Sequence, residues 1–171
     1  MRTAFVALAI CAAFFGCANP SITNIQSGLI RESKNPRIYV ARFEGRPDFV
    51  EEATDMFVAH LQGTLKHGVI QGDSIRPEGS QISSGGNIAP YELALKKARA
   101  AKAGYVIVGK VTSHHTGGML NGFVTVRIID TGSGRVVGTV HRPSGLLIGY
   151  SEHQCVMAAS RRAAEGLAAA L

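Results

Sequence analysis

The strongest constraint on the fold is the alternation of strand-like and helix-like segments between residues 37 and 171. Segments rich in β-branched and aromatic residues predict five strands, at 38–43, 69–71, 105–112, 123–130 and 135–141. Apolar residues at helical spacing predict three helices, at about 49–65, 90–103 and 152–171. The order β-α-β-α-β-β-β-α predicts a single α/β domain of two or three layers, with a mixed sheet of about five strands.

The connections predict how these strands run. Right-handed crossovers through the first two helices make the first three strands parallel. The segment 131–134 (TGSG) joins the last two strands as an antiparallel hairpin. Asp48 with Glu51, and Ser151 with Gln154, have the spacing of capping boxes and predict the starts of the first and last helices.

The first seventeen residues form a separate segment, MRTAFVALAICAAFFGC. One cation, Arg2, precedes an apolar run from residue 4 to residue 15, which is shorter than the ~20 residues that a membrane-spanning helix needs. A basic start, an apolar middle and a small residue at the end are typical of a secretory signal peptide. The polar segment 18–36 has no periodicity and predicts a flexible tether.

The end of this segment, residues 14–17 (FFGC), resembles the lipobox of bacterial lipoproteins. The resemblance implies a signal peptide at 1–16, lipidation of Cys17 as the mature N-terminus, a tether to residue 36 and a periplasmic domain at 37–171. Ala18 follows the cysteine, which by analogy favours the periplasmic face of the outer membrane. Two or more acyl chains anchor a protein stably.

The cysteine count and the charge fit this division of the chain. Of three cysteines, Cys11 leaves with the signal, Cys17 carries lipid, and Cys155 remains as a small core residue without a disulfide partner. The chain has 18 Lys and Arg against 12 Asp and Glu, a net charge of +6. Outside the cytoplasm, the expected counterparts of this charge are anionic envelope surfaces and not nucleic acid.

The candidate contact residues lie on the second helix and in the long irregular segment 72–88. Cations near the end of a helix complement its dipole, which explains the basic cluster without any partner. The alternative is that the cluster contacts another molecule, together with charged residues of the irregular segment. The candidates are Lys96, Lys97, Arg99, Lys102, Arg76 and Glu78.

Two motifs resemble enzyme signatures, and the residues around them argue against catalysis. Residues 104–110 have the spacing of a phosphate-binding loop up to its Lys, but the intervening residues form an apolar strand. Asp130 begins an Asp-Thr-Gly-Ser segment, the letters of an aspartic-protease site. That chemistry needs two carboxylates, and a turn between two strands explains the segment. We therefore expect no enzyme and no catalytic residue.

The six histidines do not have the spacing of a metal site. His60 and His67 are seven residues apart on a helix, where zinc-binding pairs are four apart. His114 and His115 point to opposite faces if their strand continues. A weak exposed metal site at His114 and His115 stays open, and we predict no metal and no cofactor besides the lipid on Cys17.

The domain resembles the group that contains CsgG, LpoB and the N-terminal domain of TolB. Residues 103–109 (AGYVIVG) are similar to a helix-to-strand segment of that group, and residues 127–130 (RIID) with Gly134 are similar to its hairpin. The resemblance implies a fold like an anticodon-binding domain and no enzymatic activity. Some members build rings for the secretion of curli or exopolysaccharide, and others activate a cell-wall synthase by docking on it.

The resemblance favours a lipid-anchored accessory protein that docks on or assembles other envelope proteins, with self-association into a ring as one form. Membrane-spanning strands need about 9–11 alternating residues each. The segments 72–88 and 113–122 are too short or too polar for a pair of them, so we expect no pore from this chain. The alternative, from the net positive charge, is a binding module for anionic envelope glycan or lipopolysaccharide.

Overall fold

A mixed open sheet organises the part of the chain that the computed structural model describes, residues 21–26, 37–65, 68–73, 90–116, 119–145 and 151–171. Within these ranges there are six strands and three helices. In chain order they are β1 (Ile22–Ile25), β2 (Ile38–Val40), α1 (Pro47–Thr64), β3 (Val69–Gln71), α2 (Pro90–Ala100), β4 (Tyr105–Thr116), β5 (Met119–Asp130), β6 (Val136–Pro143) and α3 (Glu152–Ala168).

The strand order is β1-β6-β5-β4-β2-β3. β2 lies between β3 and β4 and runs parallel to both, whereas β4, β5 and β6 form an antiparallel meander. These directions confirm the prediction from right-handed crossovers and from the turn at residues 131–134. The predicted α/β class with three helices is confirmed as well.

The two faces of the sheet are covered unequally. On one face α1 and α3 pack over most strands and form the main core. The largest fully buried side chains of the main core are Phe57, Leu61, Ile38, Ile107, Ile128 and Leu167. On the other face α2 packs through Ala94 and Ala98 onto Tyr39, Val106 and Ile129. The described residues form three layers where α2 lies and two layers over the rest of β4, β5, β6 and β1.

β1 is a strand that the sequence assigned to the tether, and it makes the sheet six-stranded instead of five-stranded. It pairs antiparallel with β6, and the backbone N–H of Gln26 donates to the carbonyl of Val137 over 2.9 Å. The guanidinium of Arg142 donates to the carbonyl of Ile22 over 2.9 Å, and Ile25 packs against the main core. The signal segment 1–16, Cys17 and residues 27–36 lie outside the described residues.

β4 and β5 each run for 12 residues, four residues further than their sequence patterns predicted. In this extension His114 pairs with Asn121, and His115 pairs with Leu120. Because the strand continues, His114 and His115 point to opposite faces of the sheet, as expected. Polar residues conceal the extension in the sequence, because the apolar half of the alternation is weak there.

One of the two predicted capping boxes is wrong. Arg46 is the N-cap of α1 and Pro47 occupies its first turn, with no side-chain cap, so Asp48 is already helical. A proline fixes φ and needs no partner for an N–H, which explains the earlier start. The second box is confirmed, because the Ser151 hydroxyl accepts from the Gln154 N–H and the Gln154 side chain accepts from the Ser151 N–H.

Candidate functional site

The half of the sheet that α2 leaves uncovered is the best candidate for a binding surface. Side chains alternate between the faces of a strand, so every second residue of β4, β5 and β6 points away from α1 and α3. Register places Lys110, Thr125 and His141 side by side across these strands. We call this surface the open face and define it by Lys110, His114, Phe123, Thr125, Arg127 and His141.

Three rings cross the open face from β4 to β6. The ring centroid of Phe123 lies 5.6 Å from that of His114 and 5.8 Å from that of His141. The planes of Phe123 and His141 differ by only 17°. The Thr125 hydroxyl and the His141 Nδ1 are 2.7 Å apart, so a hydrogen bond fixes the outer imidazole. The rings therefore form a continuous, ordered aromatic ladder at the surface.

The open face carries two cations, Lys110 and Arg127, and one carboxylate, Glu44. Lys110 and Arg127 are exposed there, and the Arg127 guanidinium lies 5.9 Å from the ring centroid of Tyr91 and donates to its hydroxyl. Among the described residues of β1, β4, β5 and β6 the single carboxylate is Asp130, which pairs with Tyr105 on the face of the main core. Glu44, in the chain after β2, pairs with Lys110, so its side chain lies on the open face beside that lysine.

A second polar cluster lies where α1 and α3 begin. Glu152 accepts hydrogen bonds from the Ser113 hydroxyl and, over 2.7 Å, from the Arg46 guanidinium. The hydrogen bond from Ser113 and then that from Arg46 hold the pKa of Glu152 below its usual range, against the effect of burial. His153 Nε2 lies 2.6 Å from a carboxylate oxygen of Glu52. The cluster ties β4 and both helices together.

Arg46 completes this cluster through two carboxylates. Its guanidinium contacts Asp48 over 3.2 Å as well as Glu152, and these hydrogen bonds raise its pKa above the usual value, that from Asp48 first. The guanidinium also lies 4.8 Å from the ring centroid of Phe49. Each charged group named in this cluster is paired within it, so the arrangement joins β4, α1 and α3.

The basic residues predicted on α2 have different surroundings in the structure. The Arg99 Nε donates to the carbonyl of Thr131 over 2.7 Å and so holds α2 to the turn before β6. The Lys97 ammonium lies 3.9 Å from Asp73, Lys96 is exposed, and Lys102 follows the helix with a φ of 54°. The other candidates, Arg76, Glu78 and Cys17, lie outside the described residues.

The enzyme-like motifs serve as structural elements. Asp130 accepts through one oxygen from the Ser133 N–H over 2.7 Å and from its hydroxyl over 2.6 Å, while Thr131 donates to the carbonyl of Ala103 over 2.7 Å. This confirms the interpretation of the segment as a turn. Residues 105–110 lie in β4 and form no phosphate-binding loop.

The described residues contain no group of three or more His, Cys, Asp or Glu side chains that could hold a metal ion. None of the described helices combines the length and apolar character that crossing a membrane requires.

Known proteins show what the chain is similar to. No protein-family model matches it, and no curated protein matches it. A point variant of PelC from Paraburkholderia phytofirmans, solved as a dodecamer, has a TM-score of 0.58 at 15% identity and covers 87% of this chain and 98% of that one. A second crystal form of the PelC dodecamer gives a TM-score of 0.57 at 15% identity, with 86% and 98% covered.

The LpoB C-terminal domain from Salmonella enterica, from the group that the sequence resembles, overlays less well. Its TM-score is 0.44 at 13% identity, with 70% of this chain and 94% of that one covered. At 15% identity the likeness to PelC shows a shared fold across nearly the whole of that protein.

Proposed function

We propose that this chain is a lipid-anchored protein on the periplasmic face of the outer membrane that docks on or assembles other envelope proteins and itself associates into a ring. The observation that carries the proposal is the shared fold with PelC, whose crystals contain a dodecamer and whose whole length this chain matches to 98%. The resemblance of residues 14–17 to a lipobox supports the anchor. The proposal includes no enzymatic step.

The edges of the sheet support self-association. In the described part of the chain β1 pairs with β6 alone and β3 pairs with β2 alone, so each strand offers its second side to a neighbour. Unpaired strand edges are ready templates for pairing with another chain. Val136 on β6 is 50% exposed and Ile22 on β1 is 48% exposed, so apolar surface lies near one of these edges.

The hairpin of β4 and β5 supports a role other than a pore. The carbonyl of Leu120, near its tip, accepts from the Cys155 thiol of α3 over 3.6 Å. Gly122 lies so close to α3 that an added Cβ would be 2.6 Å from the Cys155 carbonyl. Strands that pack on a helix of their own domain are not available to a lipid-facing barrel.

The anchor is tested by substituting the lipidation site. In a Cys17→Ser chain we expect the protein to leave the outer-membrane fraction, because no acyl chain remains to hold it. Membrane fractionation and labelling with radioactive palmitate measure this. Cys11→Ser is the matched control, since that residue leaves with the signal and its loss should change neither readout. A Cys17→Ser protein that still fractionates with the outer membrane would contradict the proposal.

A further inference from the structure

We propose that the open face binds an acidic glycan, whose sugar rings stack on the ladder of Phe123, His114 and His141 and whose acidic groups pair with Lys110 and Arg127. The net charge of the chain suggested such a ligand without a location. The fold supplies a location, because α2 stops short of this half of the sheet. One step of this inference rests on the proposed function: the periplasmic location is the reason for expecting a glycan and not a nucleic acid as the ligand.

The ladder offers aromatic surface of the kind that binds sugars, with Phe123 and His141 stacked so that one face of each is turned toward the other. The C–H face of a sugar packs against the face of an aromatic ring, and extended glycans present such faces at regular intervals. The ring centroid of Phe123 lies 5.6 Å from that of His114 and 5.8 Å from that of His141. These distances are comparable with the length of one sugar unit in a glycan chain. Because the rings contact one another across three strands, they lose little conformational entropy when a ligand covers them.

Polar groups for sugar hydroxyls lie beside the rings. The Thr125 hydroxyl is one donor and acceptor, and its bond to His141 over 2.7 Å fixes both side chains. On the neighbouring strand β4, Lys110 is the residue paired with Thr125. Arg127 is the next residue of β5 on this face, about 7 Å further along the strand. A ligand on the ladder therefore meets one hydroxyl, two cations and the carboxylate of Glu44 beside Lys110.

The charge pattern selects an anionic ligand. Lys110 and Arg127 are exposed cations, and the described residues of β1, β4, β5 and β6 place no carboxylate on this face. Glu44, in the chain after β2, pairs with Lys110 and adds one carboxylate, so the face keeps an excess of one cation. This excess attracts carboxylate, sulfate or phosphate groups on a glycan more than it attracts a neutral or cationic polymer.

The full chain, purified in detergent, is titrated with polygalacturonate, with uncharged dextran and with a single-stranded oligonucleotide. We expect binding to polygalacturonate that weakens as salt rises, because exposed charges are screened, and no binding to dextran. Phe123→Leu keeps an apolar side chain but removes the ring, and we expect affinity for polygalacturonate to fall about tenfold. Circular dichroism melting verifies that this variant folds.

A matched pair of charge variants tests the location. Lys110→Gln and Lys96→Gln each remove one exposed cation, the first from the open face and the second from α2. We expect about a two- to fivefold loss of affinity for Lys110→Gln and none for Lys96→Gln. Equal losses in both variants would mean that only net charge attracts the polymer, and the inference would be overturned.

Two further outcomes overturn the inference. If Phe123→Leu binds as tightly as the natural chain, the ladder takes no part. If the oligonucleotide binds more tightly than polygalacturonate through the same residues, the ligand is a nucleic acid. Both measurements are made in solution and do not depend on the anchor. A failure here is therefore distinct from a failure of the proposed function, which fractionation of Cys17→Ser tests separately.

Discussion

At the scale of single residues, close backbone contacts fix how α3 lies on the sheet. A Cβ added at Gly122 would be 2.6 Å from the carbonyl carbon and oxygen of Cys155 and 2.7 Å from the Val156 nitrogen. Ser144 brackets the same residue, because its N–H donates to the Gly122 carbonyl over 2.8 Å and its hydroxyl accepts from the Gly122 N–H over 3.2 Å. Backbone on both sides leaves this position no room for a side chain.

Gly122→Ala should therefore destabilise the domain by about 1–3 kcal/mol, the usual cost of overpacking a core. The matched control is Gly63→Ala in α1, where nothing lies within 4 Å of an added Cβ. There Ala should stabilise by roughly 0.5–1 kcal/mol, since Gly weakens a helix interior. Urea denaturation measures both. Equal effects of the two substitutions would contradict the close contact between β5 and α3.

The acid response of the domain should contain a contribution from Glu152. Hydrogen bonds from Ser113 and Arg46 lower the pKa of Glu152 in the folded state. A carboxyl group with a lowered pKa stabilises the folded state fully at pH values above its pKa in the unfolded chain, ~4.3 for glutamate. This stabilisation is lost as pH falls through the pKa of the folded state. Glu152→Gln should thus lower the urea midpoint at pH 7.

The difference between the natural chain and Glu152→Gln should shrink as pH falls below about 4. Urea midpoints measured at a series of pH values test this. Glu165→Gln is the comparison, because Glu165 makes only a 3.5 Å contact with Arg161 within α3. A gap between Glu152→Gln and the natural chain that stays constant from pH 7 to pH 3 would rule out the ionised carboxylate as its source.

At the scale of elements, local patterns predicted what local interactions determine. The Ser151 and Gln154 spacing predicted the start of α3, and the alternation at 123–130 predicted β5, because both depend on neighbouring residues. β1 was missed because its residues Ile22, Thr23 and Asn24 are exposed, and its strand conformation depends on pairing with β6, more than a hundred residues away.

The candidate binding residues also divide into those that a local pattern reveals and those that only the fold brings together. The cluster on α2 is visible in the sequence because its cations are consecutive or nearly so. The open face is not visible as a group, because Lys110, Thr125 and His141 become neighbours only through strand register. The sequence of β5 does show one sign of this surface, because Thr125 and Arg127 alternate with the buried Val124 and Val126. This alternation indicates that one face of the strand is uncovered, but it does not reveal which residues of other strands lie on that face.

The membership of β1 in the sheet can be tested with two substitutions in that strand. Ile25→Ala removes a side chain that packs against the main core, and we expect a loss of about 1–2 kcal/mol in the free energy of unfolding, less than for a fully buried Ile. Asn24→Ala changes an exposed neighbour and should stay within about 0.5 kcal/mol. Urea denaturation measures both. Two near-neutral results would show that β1 does not dock.

At the scale of the whole molecule, the uneven covering of the sheet separates two kinds of surface. α1 and α3 cover one face, whereas α2, the described helix on the other face, covers only half of it. The edges support association between copies, and the open face supports an anionic ligand. A lipid on Cys17 would hold both surfaces at the membrane in one orientation.

Self-association is the central claim of the proposed function, and the mass of the particle in solution tests it most directly. Residues 18–171, expressed without signal and lipid, are passed over a size-exclusion column with light scattering at several concentrations. We predict one species at a large, fixed multiple of the mass of a single chain, because a closed ring has a defined number of subunits. A particle with the mass of one chain at every concentration would contradict the account.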